Sequence, residues 1–350
     1  MIARNLIVVG GSAGGVEALM SLVPQLPANL DAAVCIVVHF PPQSPSLLPQ
    51  LLRRQSQMVV STVTDGASLE SGHIYVTPPD WHLLIEDHTC RLSHGPREHG
   101  YRPSIDALFR TGGEAFKRRC VGVVLSGSLD DGSAGLHYIR LRGGICVVQD
   151  PADATFPAMP TNAMQRVEVD EVVSVGSMGR VLIEIVSRLD KRASDPSADA
   201  GVRVPLHEYD PLIDARLEVP EPSDVLIKPA ENRRLVLRCP ECGGVLEETV
   251  EDGLPGFRCR VGHNYSLLSL LEAQGKALEQ ELWSAFNGLL ERIDLCRRVV
   301  NEAANEDRPD LVREYRRKAD DAKDAADVLR EFLLRGAFSN ETVSRTSSES

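Results

Sequence analysis

Two groups of residues have the types and spacing to do chemistry. The first centres on Ser12, inside the run LIVVGGSAGGVEAL. A β-branched stretch over residues 6–9 leads into Gly10 and Gly11. From residue 14 the apolar spacing (Val16, Leu19, Met20, Val23) changes to the helical period. Ser12 therefore falls in a strand-to-helix turn, where backbone N–H groups point outward and favour negative charge. A serine there can be a helix N-cap and nothing more. Two phosphate-binding patterns fail on spacing: Gly10, Gly11, Gly14 and Gly15 do not supply G-x-G-x-x-G, and Val16 follows Gly15 where a P-loop needs lysine. Gly10-Gly11-Ser12-Ala13-Gly14 does satisfy G-x-S-x-G, a turn that exposes a nucleophilic serine. Such a nucleophile needs a histidine and an acid from elsewhere.

Open α/β sheets collect function beyond the carboxyl ends of their strands, so the partners are sought there. An apolar strand over 34–38 ends in His39. Another over 121–125 ends in SGSLDDGSAGL, with Asp130 and Asp131 in a Gly/Ser loop. Serine, imidazole and carboxylate at one sheet edge are what acyl transfer requires: imidazole takes the serine proton near pH 7, and the carboxylate fixes its tautomer. N–H groups at the helix start would stabilise the oxyanion by about 3–4 kcal/mol per donor. The order serine, histidine, acid differs from the serine, acid, histidine of α/β-hydrolases.

The second group is Cys239-x2-Cys242, then sixteen residues to Cys259, then x3 to His263. Two knuckles at this separation offer four ligands for a tetrahedral structural Zn²⁺, with no position open for catalysis. Free surface thiols are the bland alternative. A nucleic-acid ribbon is disfavoured by the local acids Glu241, Glu247, Glu248, Glu251 and Asp252. Cys35, Cys90, Cys120 and Cys146 lie singly in apolar segments and read as buried thiols.

The elements that must position these residues follow from periodicity. Strands are expected over 6–9, 34–38, 58–63, 73–76, 121–125 and 145–148, with helices over 14–26, 47–54, 104–117 and 134–142. The alternation predicts an α/β fold with a doubly wound, mostly parallel sheet. Residues 72–94 read as two or three short antiparallel strands. The expected organisation is a catalytic domain over 1–190, a linker over 191–226 and a zinc-ribbon-like module over 227–266. An antiparallel helical pair over 267–336, with Trp283 and Phe286 in its seam, and a disordered tail over 337–350 complete it. The 350 residues carry a net charge of −12, which argues against a dedicated DNA or RNA partner. No signal peptide or membrane-length apolar run is evident, so a cytoplasmic protein without membrane insertion is expected.

VVGGSAGGVEAL, VVHFPP, GHIYVTPPDWHLLI, YRPSIDALF and GVVLSGSLDDGSAGL resemble, in that order, the catalytic domain of CheB-type chemotaxis protein-glutamate methylesterases, over roughly residues 4–185. The resemblance implies a hydrolase of glutamate methyl esters on chemoreceptor-type signalling proteins, with some members also deamidating glutamine. It implies Ser12 as nucleophile, His39 as base and Asp131 as orienting acid, with Asp130 as fallback, and no cofactor for catalysis. Ala13 replaces the family's usual hydroxyl residue, and Gly127-Ser128-Leu129 replaces its Gly-Met-Gly run. Ala13 and Ser128 then fall near the oxyanion or substrate site. Arg102 matches a family position and would either contact an acidic substrate or hold its own loop by an ion pair. The family's phosphorylatable receiver domain is not expected ahead of a strand that begins within the opening residues. The zinc and helical region stands in for that regulatory part and would dock a signalling partner. The competing reading is a zinc-stabilised signalling adaptor whose esterase domain is vestigial.

Overall fold

The computed structural model describes residues 2–40, 46–192, 237–251 and 254–335. The expected linker and tail lie outside the described residues, apart from the last turn of a helix that ends at Arg192. The chain runs β1 (Asn5–Gly11), α1 (Gly15–Leu22), β2 (Ala32–Val38), α2 (Leu48–Arg53), β3 (Val59–Thr62), β4 (His73–Val76), β5 (His82–Glu86) and β6 (Thr89–Ser93). It continues through α3 (Ile105–Phe116), β7 (Cys120–Val124), α4 (Ser133–Leu141), β8 (Ile145–Gln149), α5 (Ala158–Arg166), β9 (Glu171–Val173) and α6 (Val175–Arg192).

Seven of these strands form one parallel sheet in the order β3-β4-β2-β1-β7-β8-β9. Every residue of β1, β2 and β7 is buried, as a sheet covered on both faces requires. Alternate side chains serve two apolar layers. Ile7, Val9, Val34 and Ile36 pack with Leu182 and Ile185 of α6 on one face, and Leu6, Val8, Cys35 and Val37 pack with Leu108 and Phe109 of α3 on the other. Strand order reverses between β1 and β7, since the chain fills one side of β1 first and then the other. That reversal opens a crevice outside the carboxyl ends of β1 and β7.

Two of these expectations are corrected. Residues 72–94 are not all antiparallel: β4 joins the main sheet, parallel to both β2 and β3, because Ile74, Tyr75 and Val76 are buried there. Only β5 and β6 form the antiparallel hairpin. The helix over 14–26 ends at Leu22 and passes into a short 3-10 turn over Val23–Gln25, where Pro24 supplies no backbone N–H to continue it. The helices α5 and α6 and the strand β9 were not placed by periodicity.

After the α/β layers come β10 (Leu237–Arg238), β11 (Val245–Glu251), β12 (Leu254–Cys259) and β13 (Asn264–Tyr265), a four-stranded antiparallel ribbon. Helices α7 (Leu267–Asn305) and α8 (Pro309–Leu334) follow and pack on each other. The ribbon strands belong to the same compact unit as the α/β layers, while the Cys239–Gly243 turn and the two helices form a second unit. Within that second unit Ile293, Cys296, Ala303, Ala319, Ala322 and Ala326 are buried. Trp283 is exposed, so it stands outside the seam; its ring meets Phe286 edge-on at 5.8 Å between centroids.

Candidate active site

Ser12 is the first residue after β1, and His39 the first after β2. The register pairs Gly11 with Val38, so the two residues leave the sheet side by side from strands about 4.8 Å apart. The His39 N–H donates to the Gly11 carbonyl at 3.3 Å, and the Ser12 N–H donates to the Ser126 carbonyl at 3.0 Å. The serine is thus tied to the ends of both neighbouring strands. It does not cap α1. The residue at the N-cap is Gly14, in the left-handed region at φ 72°, and no side chain caps the helix. A Cβ on Gly14 would stand 2.5 Å from Ser126 Oγ, so both conformation and space demand glycine. With capping set aside, half-buried Ser12 is left available as a functional group at this sheet edge.

The structure separates the two adjacent aspartates. Asp131 Oδ2 lies 2.9 Å from His39 Nε2. The same carboxylate accepts from the Ser104 hydroxyl (3.0 Å), the Ile105 N–H (2.9 Å) and the Asp106 N–H (3.0 Å), all at the start of α3. Burial alone would raise its pKa. The His39 hydrogen bond and the helix N–H groups outweigh burial and hold the carboxyl well below the usual range. Ionised Asp131 can only accept, so His39 carries its proton on Nε2 and presents a lone pair on Nδ1. Nδ1 is buried and meets no hydrogen-bond partner among the described residues. The Tyr101 ring covers the imidazole, stacked at 3.7 Å between centroids and 6° between planes. Asp130 is turned elsewhere: its Oδ2 pairs with Arg166 at 2.8 Å and its Oδ1 accepts from the Ser266 hydroxyl at 2.8 Å.

Around the serine, the Ala13 carbonyl accepts from Ser126 Oγ at 2.8 Å. Gly127 admits no side chain, because a Cβ would come within 3.0 Å of Ser12 Cβ and 2.7 Å of the Met159 sulfur. Ser128 is exposed, and Leu129 adopts φ 63°, a left-handed conformation that suits glycine. Arg102 is occupied: its guanidinium donates to Asp80 Oδ1 at 3.0 and 2.9 Å and to the carbonyls of His94 and Gly95. It holds its own loop.

Sequence reasoning missed Tyr101, Ser104 and Asp106, although all three lie in the YRPSID stretch from which Arg102 alone was singled out. Asp106 Oδ1 accepts from the Gly135 N–H at 2.6 Å, and Oδ2 lies 2.8 Å from His99 Nε2. His99 is pulled two ways. Burial favours its neutral ring, whereas Asp106 and two further carboxylates pull its pKa upward. The Ser266 N–H, 3.2 Å from Nδ1, needs a lone pair there, and with that bond made His99 is the neutral tautomer donating from Nε2.

The model of the CheB methylesterase family matches residues 7–182. The chain belongs to that family. A relative from Leptospira interrogans is 37% identical over 180 residues, which cover 51% of this chain and 93% of that one. Two enzymes named protein-glutamate methylesterase/protein-glutamine glutaminase, from Methanosarcina mazei and Pyrococcus abyssi, are 33% and 31% identical; this chain spans about half of each, 52% in both cases. The crystal structure of the Thermotoga maritima CheB methylesterase catalytic domain matches with a TM-score of 0.50 at 26% identity, over 52% of this chain and 98% of that one. The CheB match therefore covers the sheet, the crevice, Ser12, His39 and Asp131, and ends before the ribbon.

The second group falls on two knuckles: Cys239 and Cys242 share one, and in the other Cys259 Sγ lies 3.4 Å from His263 Nδ1. Both knuckles are tight turns: the Gly243 N–H donates to the Cys239 carbonyl, and the Gly262 N–H donates to the Cys259 carbonyl. Three thiols and an imidazole are a donor set that fits a tetrahedral site with Zn–S of about 2.3 Å and Zn–N of about 2.1 Å. Among the described residues, no helix is long and apolar enough to cross a membrane.

Proposed function

We propose that this chain hydrolyses glutamate methyl esters on a chemoreceptor-type signalling protein, with Ser12 as nucleophile, His39 as general base and Asp131 as its orienting acid. The observation that carries this reading is the buried His39–Asp131 pair, set just past the end of β2 and alongside the end of β1 that carries a serine relieved of any capping duty. Ser12 Oγ attacks the ester carbonyl while His39 Nδ1 takes its proton. Ionised Asp131 stabilises the imidazolium without accepting a proton itself. Backbone N–H groups at the start of α1, that of Ala13 first, receive the oxyanion. Collapse of the tetrahedral adduct expels methanol, protonated by His39, and leaves an acyl-serine. Water, deprotonated by His39, then releases the glutamate carboxylate. The same residues acting on a glutamine side chain would expel ammonia. Exposed Ser128 lies on the substrate side of the crevice, and Arg102 acts on its own loop rather than on substrate.

The intact pair at His39 favours this reading over the adaptor. Methanol release from a methyl-esterified chemoreceptor fragment tests it. Ser12→Ala and His39→Ala are expected to abolish turnover while leaving the circular dichroism spectrum unchanged; turnover at the wild-type rate in both variants would refute the assignment. The ribbon is proposed to hold one structural Zn²⁺ through Cys239, Cys242, Cys259 and His263. Bound there, the ion would cross-link the two knuckles and take no part in hydrolysis, since four protein ligands close its coordination.

A further inference from the structure

The ribbon lies outside the matched family region, yet it reaches the catalytic machinery through one short turn. Residues 98–101 are closed by the Tyr101 N–H donating to the Glu98 carbonyl (2.8 Å) and the Glu98 N–H donating to the Tyr101 carbonyl (3.2 Å). The two central residues both have positive φ, His99 at 54° and Gly100 at 80°. That is the signature of a type I′ turn, and it is unfavourable at a histidine. What holds His99 there comes largely from the ribbon. Its N–H donates to the Asn264 carbonyl at 2.6 Å, and its Nδ1 accepts the Ser266 N–H at 3.2 Å. Glu98 bridges to Asn264 in parallel, so the segment adds to the edge of β13. On the other side of the turn, Tyr101 lies face to face on the His39 ring.

Ser266 has a second contact. Its hydroxyl donates to Asp130 Oδ1 at 2.8 Å, and Asp130 is the chain neighbour of Asp131. Asp130 is almost completely buried, and Arg166 neutralises its other oxygen. One residue at the end of the ribbon thus grips both arms that bear on His39: the turn that carries the stacked tyrosine and the loop that carries the carboxylate.

We propose that Ser266 is a positioning residue for the hydrolase, locking the 98–101 turn and the Asp130–Asp131 loop in register so that His39 is clamped between Tyr101 and Asp131. The ribbon then sets the competence of the catalytic histidine. This inference rests on the assignment of Ser12, His39 and Asp131 above.

The test uses the full chain with Ser266→Ala, Ser266→Thr, Tyr101→Leu and the Ser266→Ala/Tyr101→Leu pair. Two rates are measured: steady-state methanol release, and phosphonylation of Ser12 by a fluorophosphonate, which requires an activated serine but no knowledge of the substrate. Ser266→Ala is expected to lower kcat and the phosphonylation rate about tenfold at unchanged KM, as loss of alignment rather than of substrate contact does. Ser266→Thr retains the hydroxyl and should restore both rates to within about twofold. Because one of the two arms held by Ser266 carries Tyr101, the double variant should lose clearly less than the product of the two single losses. Wild-type rates in Ser266→Ala, a loss confined to KM, or fully multiplicative losses in the double variant would each overturn the inference. If wild-type Ser12 is phosphonylated but no methanol appears, the substrate reading fails and the phosphonylation rates still decide the role of Ser266. If wild-type Ser12 is not phosphonylated, both fall together.

Discussion

Asp131 concentrates the electrostatics of the site in one carboxylate. Four donors converge on it, one of them the His39 imidazole and three from the start of α3, where aligned peptide dipoles also favour negative charge. The carboxyl therefore stays ionised throughout the pH range in which an imidazole can act as base. Asp131→Asn keeps the shape but lets the amide impose the wrong tautomer on His39; kcat should fall by about 10⁴, as in the best-studied triad. The same depression makes Asp131 a stability group. Its contribution is fully present above the unfolded-state value near pH 4 and disappears as pH falls through and below it. Urea midpoints should show wild type more stable than Asp131→Asn at pH 7, by on the order of 2 kcal/mol, with the gap closing as the buffer is taken below about pH 4. A gap that widens on acidification would contradict the low pKa.

At the scale of elements, the site depends on how β1 passes into α1. Gly14 makes the reversal in a left-handed conformation and packs against Ser126, whose hydroxyl in turn donates to Ala13 and accepts from the Phe156 N–H. Gly14→Ala adds both a φ penalty of about 1–2 kcal/mol and a steric clash. It should lower the thermal midpoint and reduce kcat more than KM, because Ser12 is displaced with the turn. Unchanged stability would mean that the turn relaxes freely. Leu129 carries a similar left-handed penalty, yet only the Asn162 amide holds its carbonyl among the described residues, at 2.7 Å. Its loop bears directly on Asp131, two residues along.

At the scale of the whole molecule, the ribbon and the α/β layers share a compact unit through contacts between Asn264 or Ser266 and His99 or Asp130. If zinc holds the ribbon, purified chain should contain about one zinc per molecule, and Cys259→Ser should lose it. The variant should also melt in two steps, because four ribbon strands of 2–7 residues have little core of their own without the ion. Full-length protein that is free of metal and still melts in a single step at the wild-type temperature would exclude a structural zinc. The thiols Cys120 and Cys146 are not alternatives for the ion: burial raises both, Cys146 to about 12.

The sequence by itself determined which residue types meet at the sheet edge. In a parallel sheet all strand ends face one way, so Ser12, His39 and the Asp130–Asp131 pair had to emerge on the same side once the strands were recognised. The knuckle spacing likewise carries its own geometry, since each turn is local. The family resemblance put Asp131 ahead of Asp130, and the tertiary structure supplies the physical reason: their directions are set by α3 and by Arg166 and Ser266. Only the tertiary structure spent Arg102 on Asp80, moved β4 into the main sheet, and joined residues 99 and 266 across the chain. Such contacts between distant segments follow from packing and pairing registers, and periodicity along the sequence carries no trace of them.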